Sequence, residues 1–573
     1  MKRIYSLIMT SRILKNLLNL FILLSLLVII YILISGGQTL YISSVKIRLN
    51  HLHNPLLIFS ILLALRLSLF RDSDSVVDRA VLKLSENYCE FIGKDTNKEL
   101  LIYLLIISVI TLFPYVRIFN NFFLWDDFNL LEESVKSSGN ILNLFSLKLG
   151  HFFRPLYNLV FLFNYKLFGL DPSGYYIINY LLHIVNSLLL FYFAYLLTNN
   201  RSISFLASLL FAVNFEHYQA IMKVSEIASL QAAMLYLTAL ILFSKYLISK
   251  SKASYFASAI TFGLSLLTYE GTVTLLPIMF LYDVIFHERL NISNISQFIR
   301  RYAVFIILLI PYLLFQYYIQ SDSPLIARND IAINFHVPYK IFRSTITINE
   351  WIIPVLILSV IIIRNYITRQ LLKDLFNNPV VIFSFIWIPI TLIPFSFFQN
   401  TTIVASRYFY TPSIGSSILL SFLIYSFYQA GTKLIQTTDK QSWGRFKASL
   451  IMITVVIILS NSFQIYHREQ FFGKKPDWRK IIHTLKTQYD NFPDNSKIYF
   501  LNISTGEVHV KALMHVFFNP TLKTFSSKTG KINIQKKSRE NEEKIFVFDY
   551  VNGEIIDRTS DYIHSGLKRT PYS

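Results

Sequence analysis

Cysteine is almost missing from this chain. Cys89 stands alone among 573 residues, which excludes an intramolecular disulfide framework. Charge is scarce as well: Asp, Glu, Lys and Arg together make up 15%, against roughly 25% in soluble domains. Apolar residues make up 53%, and the mean hydropathy is +0.46. So few charges cannot cover so much apolar surface in water, so a soluble enzyme, a coiled coil and a disordered chain are excluded. Acidic residues are scarcer than basic ones, 34 against 54, and the net charge is +20. In so apolar a chain that excess belongs to cytoplasmic loops and lipid headgroups, not to nucleic acid. No Gly-rich phosphate loop, heptad or 34-residue repeat is present. What is abundant is aromatic and aliphatic: 50 Phe, 35 Tyr and a series of long apolar runs.

A run of about 18–20 apolar residues crosses a membrane as a helix, because ~1.5 Å per residue must span ~30 Å of hydrocarbon. Such runs occupy 16–35, 54–70, 100–117, 176–197, 204–221, 228–247, 254–269, 271–286, 302–319, 349–364, 379–396, 412–428 and 448–465. The pattern predicts an all-α polytopic membrane protein of about 13 transmembrane helices. Lys2, Arg3, Arg12 and Lys15 precede the first run, which places the N-terminus in the cytoplasm. That run lacks a small-x-small cleavage site and reads as a retained anchor in the cell membrane. Alternation then assigns basic loops to the inner side: 71–98, 198–203, 248–253, 287–301, 364–378 and 429–447. Each carries Lys or Arg, for example Arg201, Lys250, Arg300, Arg364 and Lys433.

Three domains are expected: an N-terminal helix hairpin with a cytoplasmic linker over 1–99, a transmembrane domain over 100–465, and a tail over 466–573. Three outward segments stand out: 118–175, 320–348 and the tail. The tail alternates helix-like stretches (478–489, 508–518) with strand-like runs (497–503, 545–549), which predicts a small extracytoplasmic α/β domain. The lysine-rich 523–544 reads as a flexible insertion.

Ionisable groups gather in the expected outer loops. Asp126 and Asp127, in Phe123-Leu-Trp-Asp-Asp-Phe128, lie just beyond the third run. A carboxylate held in such a cleft can take a proton from an acceptor hydroxyl; the alternative is a solvated loop with a helix-capping Asp. His151 and Arg154, in His151-Phe-Phe-Arg-Pro-Leu-Tyr157, precede an amphipathic run over 155–168. A run of that kind can lie in the interface and hold the guanidinium at phosphate height, or Arg154 simply snorkels. Asn179, His183 and Asn186 recur on one face of the fourth run, either bonding helix to helix or meeting substrate. Glu216 and His217 lie in an outward turn, without the spacing of a zinc site. Glu270 and Arg407, the latter beside Tyr408, also fall at outward ends.

In this order, the pieces resemble the GT-C superfamily of membrane glycosyltransferases, in particular its O-mannosyltransferase-like branch. That branch comprises the protein O-mannosyltransferases, the transmembrane tetratricopeptide mannosyltransferases and their bacterial relatives. The matching elements run from about 100 to 428. They are the acidic pair Asp126-Asp127, Arg154-Pro155-Leu156, Gly169 and Pro172 with Asn179 and His183, Leu210 to His217, Tyr269-Glu270 with Pro277 and Tyr282-Asp283, and Arg407 to Gly415. Asn214 and Phe215 replace a His-Pro pair, Tyr269 replaces a Lys, and no repeats follow the bundle.

The resemblance implies a glycosyltransferase of hexosyl or mannosyl type with a polyprenyl-phosphate sugar donor and a protein, glycan or glycolipid acceptor at the outer face. It casts Asp126 as base in an inverting transfer and Asp127 as orienter of acceptor or loop. Arg154 and Arg407 then meet the leaving phosphate. His151, Asn179, His183, Glu216, His217, Glu270 and Tyr408 are substrate-binding or structural polar residues. A divalent ion, on Asp126, Asp127 and Glu216, is a further option. The competing readings are a polymerase or ligase with a diphosphate-linked lipid donor, a lipid or solute transporter, and a membrane scaffold. For the tail, the expectation is acceptor binding or docking.

Overall fold

The computed structural model describes residues 2–35, 39–42, 45–48, 97–145, 153–288, 295–320, 375–397, 405–435, 457–466, 477–528 and 544–564, with isolated positions between them. The expected runs at 54–70 and 349–364, the outward segment 321–348 and His151 lie outside the described residues, apart from a few isolated positions. Helix α1 (Lys2–Ser35) leads into a hairpin of β1 (Thr39–Ile42) and β2 (Val45–Arg48), which the apolar pattern did not predict. The bundle follows: α2 (Asn97–Leu112), α3 (Asp126–Ser137), α4 (Pro155–Phe168), α5 (Pro172–Thr198), α6 (Arg201–Ala212), α7 (Tyr218–Met222), α8 (Ile227–Ser249), α9 (Lys252–Leu266), α10 (Leu275–Phe286), α11 (Ile295–Gln320), α12 (Pro379–Leu392) and α13 (Pro412–Ile435).

Polar residues punctuate these apolar helices. Gly169, at φ +57°, ends α4; the Asp171 side chain then accepts from Ser173 N–H and Pro172 opens α5. The Gly-x-x-Pro element is thus a helix stop followed by a helix start. Asn199 and Lys250 end α5 and α8 in the left-handed conformation, and Asn200 and Ser251 cap the helices that follow. These two-residue joints make α5–α6 and α8–α9 antiparallel hairpins. α5 packs against α2, α6 and α8, and α13 packs against α6 and α12. Gly415 lets α13 approach α12 closely: a Cβ there would meet the Ser384 carbonyl oxygen at 2.9 Å and the Trp387 ring.

Among the described residues, five helical stretches are long and apolar enough to cross a membrane: Glu99–Asn120, Pro172–Thr198, Val224–Ser249, Ile295–Ile319 and Pro379–Ser396. Three shorter apolar helices accompany them, Lys15–Tyr31, Arg201–Ala212 and Pro412–Ser426. On α11, Ile307, Leu314 and Tyr317 are more than 60% exposed, as expected of a face in lipid. The run expected over 204–221 is corrected. Its helix stops at Ala212, where the Asn214 side chain accepts from Glu216 N–H and turns the chain. The run over 271–286 likewise begins as a short 3₁₀ turn and becomes α-helical only at Leu275.

The tail is a small α/β unit: α14 (Trp478–Gln488), β3 (Lys497–Leu501), α15 (Glu507–Phe517), β4 (Lys523–Ser526), β5 (Ile545–Val551), β6 (Glu554–Asp557) and α16 (Thr559–His564). The sheet order is β4-β3-β5-β6, with β3 parallel to β4 and β5, and β6 antiparallel to β5. The segment read as a flexible insertion therefore begins as a strand, because Thr524 is buried on one face of the sheet while the Phe525 ring stacks on Tyr499 of β3 on the other. Residues 529–543 lie outside the described residues.

The tail docks on the bundle through α15 against α3. Phe517 meets Phe122 and Phe128, and Trp478 meets Phe128 edge-on at 6.1 Å. His515 Nδ1 lies 2.7 Å from Glu132, and Arg479 donates to the Asn121 carbonyl. One apolar cluster runs from the helices through Phe128 into Trp478, Leu513 and Phe548.

Candidate active site

The acidic pair opens α3, where helix N–H groups and the helix dipole favour negative charge. Trp125, just before it, sits at φ 46° and ψ −109°, a conformation that costs about 1–3 kcal/mol for a bulky side chain. The two carboxylates part company there. Asp127 is fully buried: its Oδ2 accepts from Leu124 N–H at 2.8 Å and its Oδ1 from Ser225 N–H at 2.7 Å. It ties the loop to the 224–226 turn with both oxygens used. Burial pushes its carboxyl up to about 6, despite the Lys223 charge and these hydrogen bonds. Asp126 keeps 51% of its side chain exposed. Partial burial works to raise its carboxyl. The Lys223 ammonium, by charge and hydrogen bond, with help from His509 and Arg407, brings it below the ordinary value.

Lys223 is the residue that sequence reasoning missed. Its buried Nζ donates to Asp126 Oδ2 and, at 3.1 Å, to Glu226 Oε1. Glu226 Oε1 also accepts from Arg407, 3.0 Å away. Lys223 lies between two apolar runs, where a lone cation reads as a loop residue, and Asp126 is 97 positions away in the chain.

Arg154 forms a forked ion pair with Glu270, Nε to Oε2 at 2.7 Å and Nη2 to Oε1 at 2.6 Å. Its guanidinium also lies over the Tyr269 ring, 4.9 Å from the centroid. The backbone is anchored on both sides of it. Phe153 exchanges hydrogen bonds with the Gln316 amide, and Leu156 N–H donates to the Leu267 carbonyl. Tyr269 feels the charges of both Arg154 and Arg407, so the two arginines share a neighbourhood. Ion pairing with the glutamates outweighs burial and keeps both guanidinium groups protonated.

The polar stripe of α5 is spent on structure. Asn179 donates to the Lys223 carbonyl at 3.1 Å and so holds the turn that bears the lysine. His183 Nε2 donates to the Ala212 carbonyl, so the Tyr410 hydroxyl donates to His183 Nδ1 at 2.8 Å. Asn186 Nδ2 donates to the same hydroxyl and to the Leu230 carbonyl. Ser413 donates to the Tyr410 carbonyl, so His217 Nε2 donates to Ser413 Oγ at 2.7 Å. Burial holds the His217 imidazole well below its ordinary value, with His183 adding to the effect. Trp387 Nε1 closes the set on the Thr411 carbonyl. These bonds fix the 406–413 turn that presents Arg407 and Tyr408, whose ring faces the Arg407 guanidinium at 5.1 Å. Glu216 is half-buried in the 3₁₀ turn of Phe215–His217.

Among the described residues no group of three His, Cys, Asp or Glu side chains gathers to hold a metal ion. The expected donor trio does not fit one. Asp127 has both oxygens on backbone N–H groups, and the Lys223 ammonium lies where a cation on Asp126 Oδ2 would lie. The cluster brings together a half-exposed carboxylate, which can take a proton, and two guanidinium groups, each paired with a glutamate.

No family model matches the chain. Human protein O-mannosyl-transferase TMTC2 is 30% identical over 148 residues, covering 25% of this chain and 18% of the relative. Human protein O-mannosyl-transferase TMTC3 is 25% identical over 393 residues, covering 59% of this chain and 41% of the relative. The matched segments thus span less than half the length of these curated relatives. Among solved structures, ArnT from Cupriavidus metallidurans bound to undecaprenyl phosphate superposes with TM-score 0.42 and 12% identity, over 75% of this chain and 86% of that one. AglB from Archaeoglobus fulgidus, with an inhibitory peptide and a dolichol-phosphate, gives 0.40 and 12%, over 74% and 64%. The resemblance to the O-mannosyltransferase-like branch, read from the ordered motifs, is borne out by these relatives: the chain is similar to protein O-mannosyl-transferases.

Proposed function

We propose that this chain is a membrane glycosyltransferase that moves a sugar from a polyprenyl-phosphate donor to an acceptor hydroxyl at the outer face. The observation that carries the reading is the division of the acidic pair. Asp127 is buried with both oxygens bonded, and Asp126 is half-exposed beside Lys223 with Arg407 in electrostatic reach. Asp126 takes the proton from the acceptor O–H, and the oxygen attacks the anomeric carbon from the face opposite the phosphate. The bond from that carbon to the phosphate oxygen breaks, and its electron pair leaves on the lipid phosphate with inversion. A phosphate leaves without a proton, so one base suffices. Arg154 and Arg407 meet the charge that develops on it. Lys223 keeps Asp126 ionised and oriented.

An apolar pocket of about 450 Å³ supports a lipid-linked donor. Phe256, Ala259, Gly263, Leu267, Leu308 and Tyr312 line it between α9 and α11. Its Leu267 and Tyr312 end adjoins the anchors of Arg154: Leu267 takes the Leu156 N–H, and Gln316, which holds Phe153, donates to Tyr312. A prenyl chain laid there brings its phosphate toward the guanidinium. The relatives named O-mannosyl-transferases favour a hexosyl donor of mannosyl type.

The test presents the protein in nanodiscs with a panel of polyprenyl-phosphate sugars and follows free polyprenyl phosphate by mass spectrometry, with Asp126→Asn alongside. Release by wild type alone is expected. No release from any monophosphate donor by folded protein overturns the donor assignment and favours diphosphate-linked lipids.

A further inference from the structure

The C-terminal domain reaches the acidic pair itself. Helix α15 presents His509 to α3, where His509 Nδ1 lies 3.2 Å from Asn129 Nδ2 and His509 Nε2 lies 3.8 Å from Asp126 Oδ1. The Asn129 amide donates to Nδ1, which leaves the ring proton on Nε2, facing the carboxylate. Asp126 Oδ2 is already taken by Lys223. A separation of 3.8 Å is too long for a direct hydrogen bond, yet one oxygen atom fits at about 2.8 Å from each group. Both groups reach solvent, His509 with 25% and Asp126 with 51% of the side chain exposed, so a ligand can enter between them. The placement is rigid, because Phe517, two turns along α15, packs on Phe122 and Phe128, and His515 meets Glu132.

We propose that His509 is the acceptor-holding residue of this site: the acceptor hydroxyl lies between Asp126 Oδ1 and His509 Nε2, giving its proton to the carboxylate and accepting from the imidazole N–H. This rests on the reading of Asp126 as base. One lone pair of the acceptor oxygen is pinned by His509, and the other is left for the anomeric carbon. The tail is then a working wall of the acceptor site, and the enzyme is complete only with both parts assembled. Burial, with the Lys223 charge and against that of Asp126, holds the imidazole below its ordinary value. The ring is therefore neutral at neutral pH, with Nε2–H as its one donor.

The test uses the full chain in nanodiscs, polyprenyl-phosphate mannose as donor and glycerol as a small hydroxyl acceptor that makes few contacts besides the hydroxyl grip. His509→Gln places an amide N–H near the Nε2 position, and His509→Asn reaches only the Nδ1 position. His509→Asn and His509→Leu should raise the KM for glycerol about tenfold, the size of one lost hydrogen bond, with the donor KM unchanged and His509→Gln near wild type. The Gln and Asn variants are matched amides, so their comparison stands even if the Leu variant does not fold. Equal behaviour of Gln and Asn, or a matching rise in donor KM, overturns the proposal. A wild type without transfer defeats the donor assignment, and an Asp126→Asn variant as active as wild type defeats the base assignment; either takes this proposal with it.

Discussion

Lys223 donates its buried ammonium to Asp126 Oδ2, joining the turn before α8 to the first residue of α3. The pair holds the carboxylate ionised at a pH where its exposed neighbours would start to take up protons. Lys223→Met removes the strongest influence that lowers the Asp126 carboxyl. The variant then needs a higher pH to present the charged base. The acid limb of the kcat/KM profile should move upward by roughly one pH unit. Superimposable acid limbs for wild type and variant would separate Asp126 from the rate.

Asp127 predicts a pH-dependent stability of unusual sign. Its carboxyl has an ordinary value of 3.8 and is raised to about 6 in the fold. Between those values the folded state binds more protons than the unfolded one, so stability falls as pH rises through that window. The full effect is about 3 kcal/mol, with the two backbone hydrogen bonds that the carboxylate accepts already included in the raised value. Asp127→Asn cannot ionise. Thermal unfolding in detergent between pH 4.5 and 7 should show a decline in wild type that the variant lacks. Parallel curves would mean that Asp127 ionises as freely folded as unfolded.

Much of this was legible in the chain because apolar periodicity and local punctuation are local signals. Helices α5, α8, α11 and α12 fall where their runs predict, and Asp171-Pro172 and Asn378-Pro379 mark the starts of α5 and α12 as capping chemistry requires. The acidic pair, Arg154 and Arg407 stood out because charge beside aromatics in an outer loop is costly without a purpose. Lys223 and His509 did not stand out. Each is an ordinary residue in its own stretch, and only the tertiary fold brings it to Asp126. The run over 204–221 misled for the opposite reason: Asn214 breaks the helix by bonding its own backbone, which hydropathy does not register.

The Arg154–Glu270 fork is geometric, so its loss should not be repaired by charge alone. Lys in place of Arg154 keeps the charge and loses the planar two-point contact. Glu270→Gln keeps the shape and loses the charge. Each should raise the donor KM about tenfold, and the double variant should be little worse than the worse single one, because both remove the same interaction. Additive losses in a double-mutant cycle on donor binding would show that the two residues act separately.

Tyr410 carries the last prediction, because its hydroxyl is the joint between α5 and the turn of Arg407. It donates to His183 Nδ1 and accepts from Asn186 Nδ2, while its carbonyl takes the Ser413 hydroxyl. Tyr410→Phe keeps the ring, which packs 4.4 Å from His217 and 5.2 Å from Phe211, and removes only the hydroxyl. His183 and Asn186 are then left with an unmet acceptor and donor in a buried place, at a cost of about 1–3 kcal/mol. The melting temperature should fall by a few degrees. The donor KM should rise as the 406–413 turn loosens its hold on Arg407, with the acid limb of the pH profile unmoved because Asp126 and Lys223 are untouched. A fall in stability with donor KM unchanged would confine Tyr410 to packing and release Arg407 from its dependence on the α5 stripe.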